Sequence, residues 1–428
     1  MRKITIALIC GILSVDAAAQ ENLLQPGNAA DVNVSPERLK RIDQLLQGKI
    51  NEGIINGVVG LIARNGKVVY YKAFGIDDID NKTPMKKDAI FRIASQTKAI
   101  TSVAVMMLYE EGKFLLDDPL SKYIPGFSNP VVIDQFNAKD TSYTTKPAKQ
   151  LITIRHLLTH TSGIDYTLIG TDTMKAIYAK ARIPFGNVSE PMILSEAINK
   201  LAKLPLRHHP GERFTYGLSA DVLGYLVEII SKMSFDQFLQ QRLFKPLGMT
   251  DTYFYLPTAK HERLVTINVS DGKNQPRKRI DSDWPYFNTN YPNAKGTYFS
   301  GGAGLSSTIM DYAIFLQMML NGGQYNGHRF LSKHTIDLMT SNQITSLQWS
   351  DPHYPLDRFG LGFAIITKAG ETRLGQSEGS YEWGGAYNTF YWVDPKKKLV
   401  CLIYSQQVPF SWELDDLFKV VVYQALED

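Results

Sequence analysis

Ser95 and Lys98 are the residues whose types and spacing best suit chemistry, in the Ser-Gln-Thr-Lys segment at 95–98. Residues three apart lie on one face of a helix, so the Ser95 hydroxyl and the Lys98 amine can approach each other. A serine hydroxyl is a weak nucleophile until a neighbouring base removes its proton. A lysine can do so where its surroundings favour the neutral amine, and the apolar run 100–108 predicts a buried helix there. The pair predicts a serine nucleophile with a lysine partner. The alternative is a helix-capping serine and an ordinary first-turn lysine.

Tyr216 is the second candidate, because it stands just before a predicted helix at 220–231 and just after a His-Pro-Gly turn at 209–211. In that position its hydroxyl can project into a cleft and act as a general base, then as an acid for the leaving group. The alternative is a core tyrosine whose hydroxyl donates to a backbone carbonyl.

Paired glycines at the entry to a strand form the third segment, Trp383-Gly384-Gly385-Ala386, which leads into a predicted strand ending near Val393. Glycines at such a point let a ligand approach backbone N–H groups, which is what an oxyanion site requires. The alternative is a bulge or kink at a sheet edge.

In order and spacing, the three segments resemble the motifs of the serine β-lactamase and penicillin-binding-protein superfamily. The pattern is most similar to that of the family VIII carboxylesterases, which are class C β-lactamase-like, and it extends over about residues 42–423. The resemblance implies that Ser95 is the acylated nucleophile and that Lys98 and Tyr216 share proton transfer. It also implies an oxyanion hole made by the backbone N–H groups of Ser95 and Ala386.

Two positions depart from the pattern of penicillin-recognising relatives. Those relatives usually carry asparagine where this chain has Leu218, and lysine or histidine where it has Trp383. An indole cannot give a substrate carboxylate a charge-assisted hydrogen bond. We therefore expect a site better suited to an uncharged ester than to an anionic β-lactam or peptide. The predicted substrate-binding residues are Leu218, Trp383, Gly384 and Gly385.

The elements that must position these residues follow the order helix, hairpin, helical block, strands, helix. An Asn-Gly pair at 65–66 between two β-rich runs is a strong hairpin signal. This order predicts an antiparallel sheet built from both ends of the chain around a helical insertion. With the resemblance, the fold class is α/β (α+β), β-lactamase/transpeptidase-like, with flanking N- and C-terminal helices. The expected domains are a sheet domain (20–94 and 295–428) and a mostly helical domain (95–294), with the active site between them.

Composition and charge narrow the possible partners. The chain has 428 residues and a formal net charge of +4, too little to indicate nucleic acid or an anionic membrane as a partner. Arg2 and Lys3 precede a short apolar run and an Ala-Ala-Ala segment at 17–19. This pattern is typical of a cleavable signal peptide, so residues 1–19 are predicted to direct export to the periplasm or beyond. That apolar run is too short to span a bilayer.

The two cysteines, Cys10 and Cys401, leave only Cys401 after such a cleavage, so no intrachain disulfide is expected. Cys401 stands in an apolar run and is predicted to be a small core side chain. No spacing typical of metal ligands is present, so neither a metal nor a cofactor is expected.

Three other residues attract attention. Ser377 lies in a Gly-x-Ser-x-Gly segment, which matches the nucleophile elbow of α/β-hydrolases. That elbow needs a helix after the serine, whereas here a strand is predicted and no histidine follows, so we interpret the match as chance. We expect His160 to brace a loop beside the cleft rather than to act as a base. Asp221 is interpreted as a structural carboxylate at a helix start.

Together these observations predict an exported serine hydrolase that cleaves carboxylic esters through an acyl-enzyme on Ser95. One alternative is a D-amino-acid peptidase, acyltransferase or weak β-lactamase of the same fold. Another is a catalytically weak penicillin-binding-like protein that recognises cell-wall fragments. The expected partner is a small-molecule ester or amide, with no nucleic acid and no membrane span. The sequence makes no prediction of oligomeric state.

Overall fold

The structure is a computed structural model, and it describes residues 23–184, 186, 192–270, 276–279, 288–344 and 355–427. The predicted signal segment at 1–19 lies outside these residues. In this described part of the chain, no helix is both long and apolar enough to cross a bilayer.

The first helix begins where local signals place it, because Pro36 occupies its first turn and the Ser35 side chain accepts from the Arg38 N–H. The α-helices of the described residues are α1 (Pro36–Asn51), α2 (Thr97–Glu110), α3 (Ile154–Leu158), α4 (Asp172–Lys180), α5 (Leu194–Leu201), α6 (Ser219–Ser231), α7 (Phe235–Leu239), α8 (Lys245–Leu247), α9 (Ile309–Leu320), α10 (Lys333–Met339), α11 (Glu371–Leu374) and α12 (Glu413–Tyr423).

A single large sheet joins the two ends of the chain. Its strands are β1 (Gln25–Pro26), β2 (Gly57–Arg64), β3 (Lys67–Asp78), β4 (Thr83–Pro84), β5 (Arg358–Phe359), β6 (Ala364–Ile365), β7 (Tyr381–Gly385), β8 (Thr389–Asp394) and β9 (Leu399–Tyr404). The order is β1-β3-β2-β9-β8-β7-β6-β5, with β4 paired to β3 beside this path. Apart from the parallel β1–β3 pair, these neighbours run antiparallel. The predicted sheet built from both chain ends is confirmed.

The β2–β3 turn shows why the sequence predicted this hairpin. Asn65 and Gly66 both have positive φ, 52° and 74°. Arg64 pairs directly with Lys67, which leaves a two-residue loop between the strands. A two-residue hairpin loop of this kind requires φ > 0 at both central positions, which asparagine and glycine tolerate.

The sheet is buried on both faces, and alternate residues of β2 enter opposite cores. Val58 and Ile62 pack with residues of α1 and α12, including Leu46 and Phe418. Val59, Leu61 and Ala63 belong to the main core, which also holds α2 and α9. The flanking N- and C-terminal helices were therefore predicted correctly.

The segment at 128–150, which its polar composition predicts to be a loop, instead contains an antiparallel pair of strands, Val131–Asn137 and Ser142–Pro147. Its second strand is exposed throughout, so the burial pattern that identifies most strands is missing from it. Among the described residues in the remainder of 95–294, most of the regular elements are helices, and the division into two domains stays a prediction. Cys401 is fully buried in β9, as expected.

Candidate active site

Ser95 lies in a single 3-10 turn, Ala94–Gln96, that leads directly into α2. Its Oγ lies 3.3 Å from Lys98 Nζ. The residue that caps α2 is Gln96, and no side-chain hydrogen bond caps the helix. The Ser95 hydroxyl therefore faces the lysine rather than capping a helix, which removes the alternative interpretation of this segment. Ala94 holds the turn with φ of 43°, in the left-handed region that a non-glycine residue seldom adopts.

Lys98 is buried within α2, with 3% of its surface exposed. Its Nζ donates to the Gly302 carbonyl at 2.7 Å and lies 4.5 Å from the centre of the Tyr216 ring. The Tyr166 ring is 5.5 Å away. No carboxylate oxygen of the described residues lies within 4.0 Å of this nitrogen. The amine is thus held by neutral oxygens and aromatic faces instead of by an ion pair.

Asp221 is the carboxyl group that lies near this amine. A Cβ placed on Gly302 would be 2.6 Å from Asp221 Oδ2 and 3.6 Å from Lys98 Nζ, so both groups pack against the same glycine. Ser300 Oγ donates to Asp221 Oδ1 at 2.6 Å. Burial raises the pKa of the Asp221 carboxyl, while the Ser300 hydrogen bond and the Lys98 charge oppose the rise. Asp221 therefore contributes to the electrostatic environment of the lysine, a role that the sequence analysis did not assign.

Tyr216 projects between Lys98 and Trp383, three residues before α6 begins. Trp383 Nε1 donates to the Tyr216 hydroxyl at 3.3 Å, and their rings are 5.4 Å apart. The Tyr166 ring is stacked on the Tyr216 ring at 5.8 Å. Tyr216, Trp383 and Ser95 are partly exposed, whereas Lys98 and Tyr166 are buried. The arrangement is an aromatic cleft with a buried amine at its base.

Strand β7 packs against the turn that carries Ser95, and the role of Ala386 as an oxyanion donor stays a prediction. A Cβ on Gly385 would lie 2.3 Å from the Ile93 carbonyl oxygen, so the strand and the turn before Ser95 touch through their backbones. Ala386 follows at the exposed turn that Asn388 N–H closes on the Gly385 carbonyl at 3.0 Å. Glycine is required at 385 because the protein's own backbone occupies the space beside it.

Gly384 and Leu218, the two remaining residues predicted to bind substrate, lie in different surroundings. Gly384 is next to Trp383 in β7, and a Cβ there would lie 2.9 Å from the Phe390 ring. Leu218 is 2% exposed and its side chain belongs to the main core. The roles of these residues in substrate binding stay predictions.

His160 and Ser377 both lie apart from the nucleophile. The His160 ring packs on Tyr216 at 4.9 Å, and no hydrogen bond of the described residues joins it to Ser95. The next element after Ser377 is strand β7, which begins at Tyr381, and the Ser377 N–H donates to Asp394 Oδ2 at 3.0 Å. A nucleophile elbow would require a helix at that point.

Sequence reasoning missed three participants: the Gly302 carbonyl, Tyr166 and Ser300. Gly302 lies within a glycine-rich run at 301–305, and Tyr166 follows a Leu-Leu-Thr-His-Thr-Ser-Gly run at 157–163. Neither run shows by itself that its residues would reach the lysine, because the contacts join residues 68 to 204 positions apart.

Comparison with known proteins shows the family and the fold of the chain. The Beta-lactamase family model matches residues 42–424. Protein Rv1367c of Mycobacterium tuberculosis is 34% identical over 365 residues, 83% of this chain and 87% of that protein. Esterase EstB of Burkholderia gladioli is 30% identical over 365 residues, 83% of this chain and 86% of that protein. The solved structure of EstCE1, described as a hydrolase with promiscuous acyltransferase activity, superposes with a TM-score of 0.75 at 26% identity, over 91% of this chain and 98% of that one.

The family model covers most of the chain, and the structural match extends over both the sheet and the helices between its strands. The predicted family and β-lactamase/transpeptidase-like fold are therefore confirmed. The chain belongs to the Beta-lactamase family and is a serine hydrolase of that fold.

Proposed function

We propose that this protein hydrolyses uncharged carboxylic esters through an acyl-enzyme on Ser95. The observation that carries the proposal is the 3.3 Å contact between Ser95 Oγ and a buried Lys98 whose other hydrogen bond goes to a carbonyl. Both the neutral and the charged amine can donate to that carbonyl, so Lys98 keeps its place whether or not it carries the serine proton.

The reaction begins when Ser95 Oγ attacks the ester carbonyl carbon and its proton moves to the Lys98–Tyr216 pair. The backbone N–H groups of Ser95 and Ala386 stabilise the oxyanion of the tetrahedral intermediate. The carbon–oxygen bond to the alcohol then breaks, and the alcohol leaves with the proton held by the pair. Water attacks the acyl-enzyme by the reverse order of steps, which releases the carboxylic acid and restores the serine.

The wall of the cleft supports an uncharged substrate. Trp383 stands edge-on to Phe359 at 5.5 Å and beside Tyr216, so the position that would meet a substrate carboxylate presents an indole. Phe214 and Ile344 extend the same apolar cluster. Burying a carboxylate against these groups would cost its hydration without a compensating cation.

The names of the relatives support ester chemistry and leave open where the acyl group goes. EstB is named an esterase, and the description of EstCE1 adds promiscuous acyl transfer to its hydrolase activity. Transfer to an alcohol instead of water is therefore the second candidate here. It uses the same acyl-enzyme and differs only in the acceptor.

Replacing Ser95 with alanine tests the proposal directly. We expect Ser95→Ala to lower kcat/KM on p-nitrophenyl butyrate by about 10³-fold or more, because no covalent intermediate can form. Ser377→Ala is the matched control, since it removes a serine hydroxyl from the Gly-x-Ser-x-Gly segment, and it should leave turnover within about twofold. Activity that survives in Ser95→Ala and is lost in Ser377→Ala would overturn the proposal.

A substrate panel separates the alternatives. The proposal expects the p-nitrophenyl ester to be cleaved much faster than nitrocefin or a D-Ala-D-Ala peptide. Faster nitrocefin or peptide turnover would favour the β-lactamase or peptidase alternative instead. Labelling by a fluorophosphonate probe that Ser95→Ala abolishes would exclude the purely binding protein, since that protein needs no reactive serine.

We also propose that the chain is exported after cleavage near residue 19. The basic start, apolar run and small residues at 17–19 support this. Expression with its own N-terminus in a Gram-negative host, followed by N-terminal sequencing of the periplasmic fraction, tests it, and an intact cytoplasmic product would contradict it.

A further inference from the structure

The loop that contains His160 forms a cradle for the segment that carries Tyr216. The Thr215 N–H donates to the His160 carbonyl at 2.7 Å, and the Gly217 N–H points to His160 Nδ1 at 3.4 Å. One residue further on, the Leu218 N–H donates to the Asp165 carbonyl at 3.2 Å. The backbone N–H groups of the two residues that flank Tyr216 are therefore both held by one histidine.

The same histidine also holds the Tyr216 ring. The His160 ring lies 4.9 Å from it and is packed at 5.7 Å against both Phe214 and Phe359. The opposite side is closed, because a Cβ on Gly217 would lie 2.1 Å from the Ile164 carbonyl oxygen. The backbone at 216–217 is thus confined between His160 and the chain at 164–165.

The imidazole must be neutral to play this part, because only an unprotonated Nδ1 can accept the Gly217 N–H. Burial, reinforced by the positive charge of Lys98, lowers the pKa of His160 well below its usual range. His160 itself has φ of 54°, a left-handed conformation that histidine and asparagine adopt more readily than most residues.

We propose that His160 is a positioning residue that fixes Tyr216 over Lys98. It touches neither the nucleophile nor the proton in transit, and it acts by holding the backbone and ring of Tyr216. The inference rests on the proposed function in one respect, since it takes Tyr216 to share proton transfer during acylation. The Thr-His-Thr-Ser-Gly segment at 159–163 then positions Tyr216 in addition to bracing a loop.

Two substitutions separate the parts of this role. His160→Phe keeps an aromatic ring against Tyr216 and removes the acceptor, and we expect kcat on p-nitrophenyl butyrate to fall about 10- to 100-fold with KM within about threefold. In His160→Asn the side-chain oxygen can occupy the place of Nδ1, and asparagine tolerates the positive φ. We expect this variant to recover most of the loss, to within about fivefold of the wild type.

His156→Phe is the matched control, because it removes an imidazole acceptor from the same region of the chain. His156 Nδ1 accepts the Thr153 N–H at the start of α3. We expect this variant to be less stable but to keep kcat per folded molecule within about twofold. A similar fall in kcat for both phenylalanine variants would show general loosening of the loop and overturn the proposal.

A double-mutant cycle with Tyr216→Phe gives the decisive result. If His160 acts through Tyr216, its replacement by phenylalanine should cost no more than about threefold once the tyrosine hydroxyl is gone. An equal loss in both backgrounds, or an unchanged kcat in His160→Phe alone, overturns the inference. Failure of the proposed function would look different, because Ser95→Ala would then remain active whatever the His160 variants do.

Discussion

Two buried lysines on opposite faces of the sheet differ in the groups that accept a hydrogen bond from them. Lys98 and Lys419 are 3% and 1% exposed. Lys419 lies in α12 and pairs with Glu382 Oε2 at 2.7 Å and Asp415 Oδ2 at 2.8 Å. Lys98 bonds only to a hydroxyl and a carbonyl among the described residues. Burial is common to both, so the difference lies in the partners.

The partners decide which protonation states each lysine can adopt. Burial opposes the charge of Lys419, but the charges of Asp415 and Glu382 outweigh it and raise the pKa of the amine. That lysine is locked as a cation that joins α12 to β7. Lys98 instead donates to two neutral oxygens, the Ser95 hydroxyl and the Gly302 carbonyl. A search for catalytic lysines should therefore ask what accepts from the amine before asking how deeply it is buried.

The largest expected effect is on catalysis at Lys98. We expect Lys98→Met to lower kcat/KM on p-nitrophenyl butyrate by about 10³-fold, because the serine loses its proton acceptor. The free energy of unfolding should change by no more than about 2 kcal/mol, since the hydrogen bonds to the Ser95 hydroxyl and the Gly302 carbonyl are lost while the side-chain volume is kept. Steady-state kinetics and urea denaturation measure the two quantities. A Lys98→Met variant that keeps its activity would contradict the difference in role expected between Lys98 and Lys419.

The second effect is on stability at Lys419. We expect Lys419→Met to lower the free energy of unfolding by about 3–5 kcal/mol, because it leaves Glu382 and Asp415 buried without their cation. Turnover per folded molecule should fall far less than in Lys98→Met. The control is Lys396→Met, where an exposed lysine lies 3.5–3.6 Å from surface carboxylates and about 0.5 kcal/mol or less is expected. Equal losses of stability in Lys419→Met and Lys396→Met would contradict the structural role given to Lys419.

The smallest expected effect is the pH dependence of stability that arises from the buried cluster of Lys419, Glu382 and Asp415. Burial raises the pKa of Asp415 from its ordinary value of 3.8 to about 7, and the Lys419 charge only partly offsets this. The folded protein therefore binds a proton more tightly than the unfolded chain, and this contribution to stability is lost as pH rises through about 4 to 7. Asp415→Asn has no titrating carboxyl at this position. The free energy of unfolding of the wild type should therefore fall, relative to that of this variant, as pH rises through about 4 to 7. Denaturation curves at several pH values should show that trend, and a constant difference between the two proteins would contradict it.

The sequence predicts the contact between Ser95 and Lys98 because both residues lie in one short motif with local geometry. Ser95 and Lys98 are one helical turn apart, so their contact follows from helix periodicity once the helix is recognised. The hairpin at 65–66 follows from its turn residues in the same way. Where a feature is set by a few neighbouring residues, its pattern is visible in the chain.

The contacts around the buried polar side chains could not be predicted from the sequence, because most of them join segments that are far apart in the chain. Lys419 and Asp415 are four residues apart on α12, but Glu382 comes from β7, 37 residues away. His160 reaches Gly217 across 57 residues, and the Gly302 carbonyl reaches Lys98 across 204. Such contacts depend on how the helices pack against the sheet. The local periodicity of the sequence does not determine that packing.

The backbone contact between Gly385 and the Ile93 carbonyl has a consequence for how such proteins can diversify. It fixes the separation between the turn that carries Ser95 and strand β7 without using any side chain. The indole of Trp383 and the phenyl groups beside it can then be exchanged without moving that backbone contact. Substitutions in this apolar cluster can therefore alter what the protein binds while the backbone around Ser95 keeps its position.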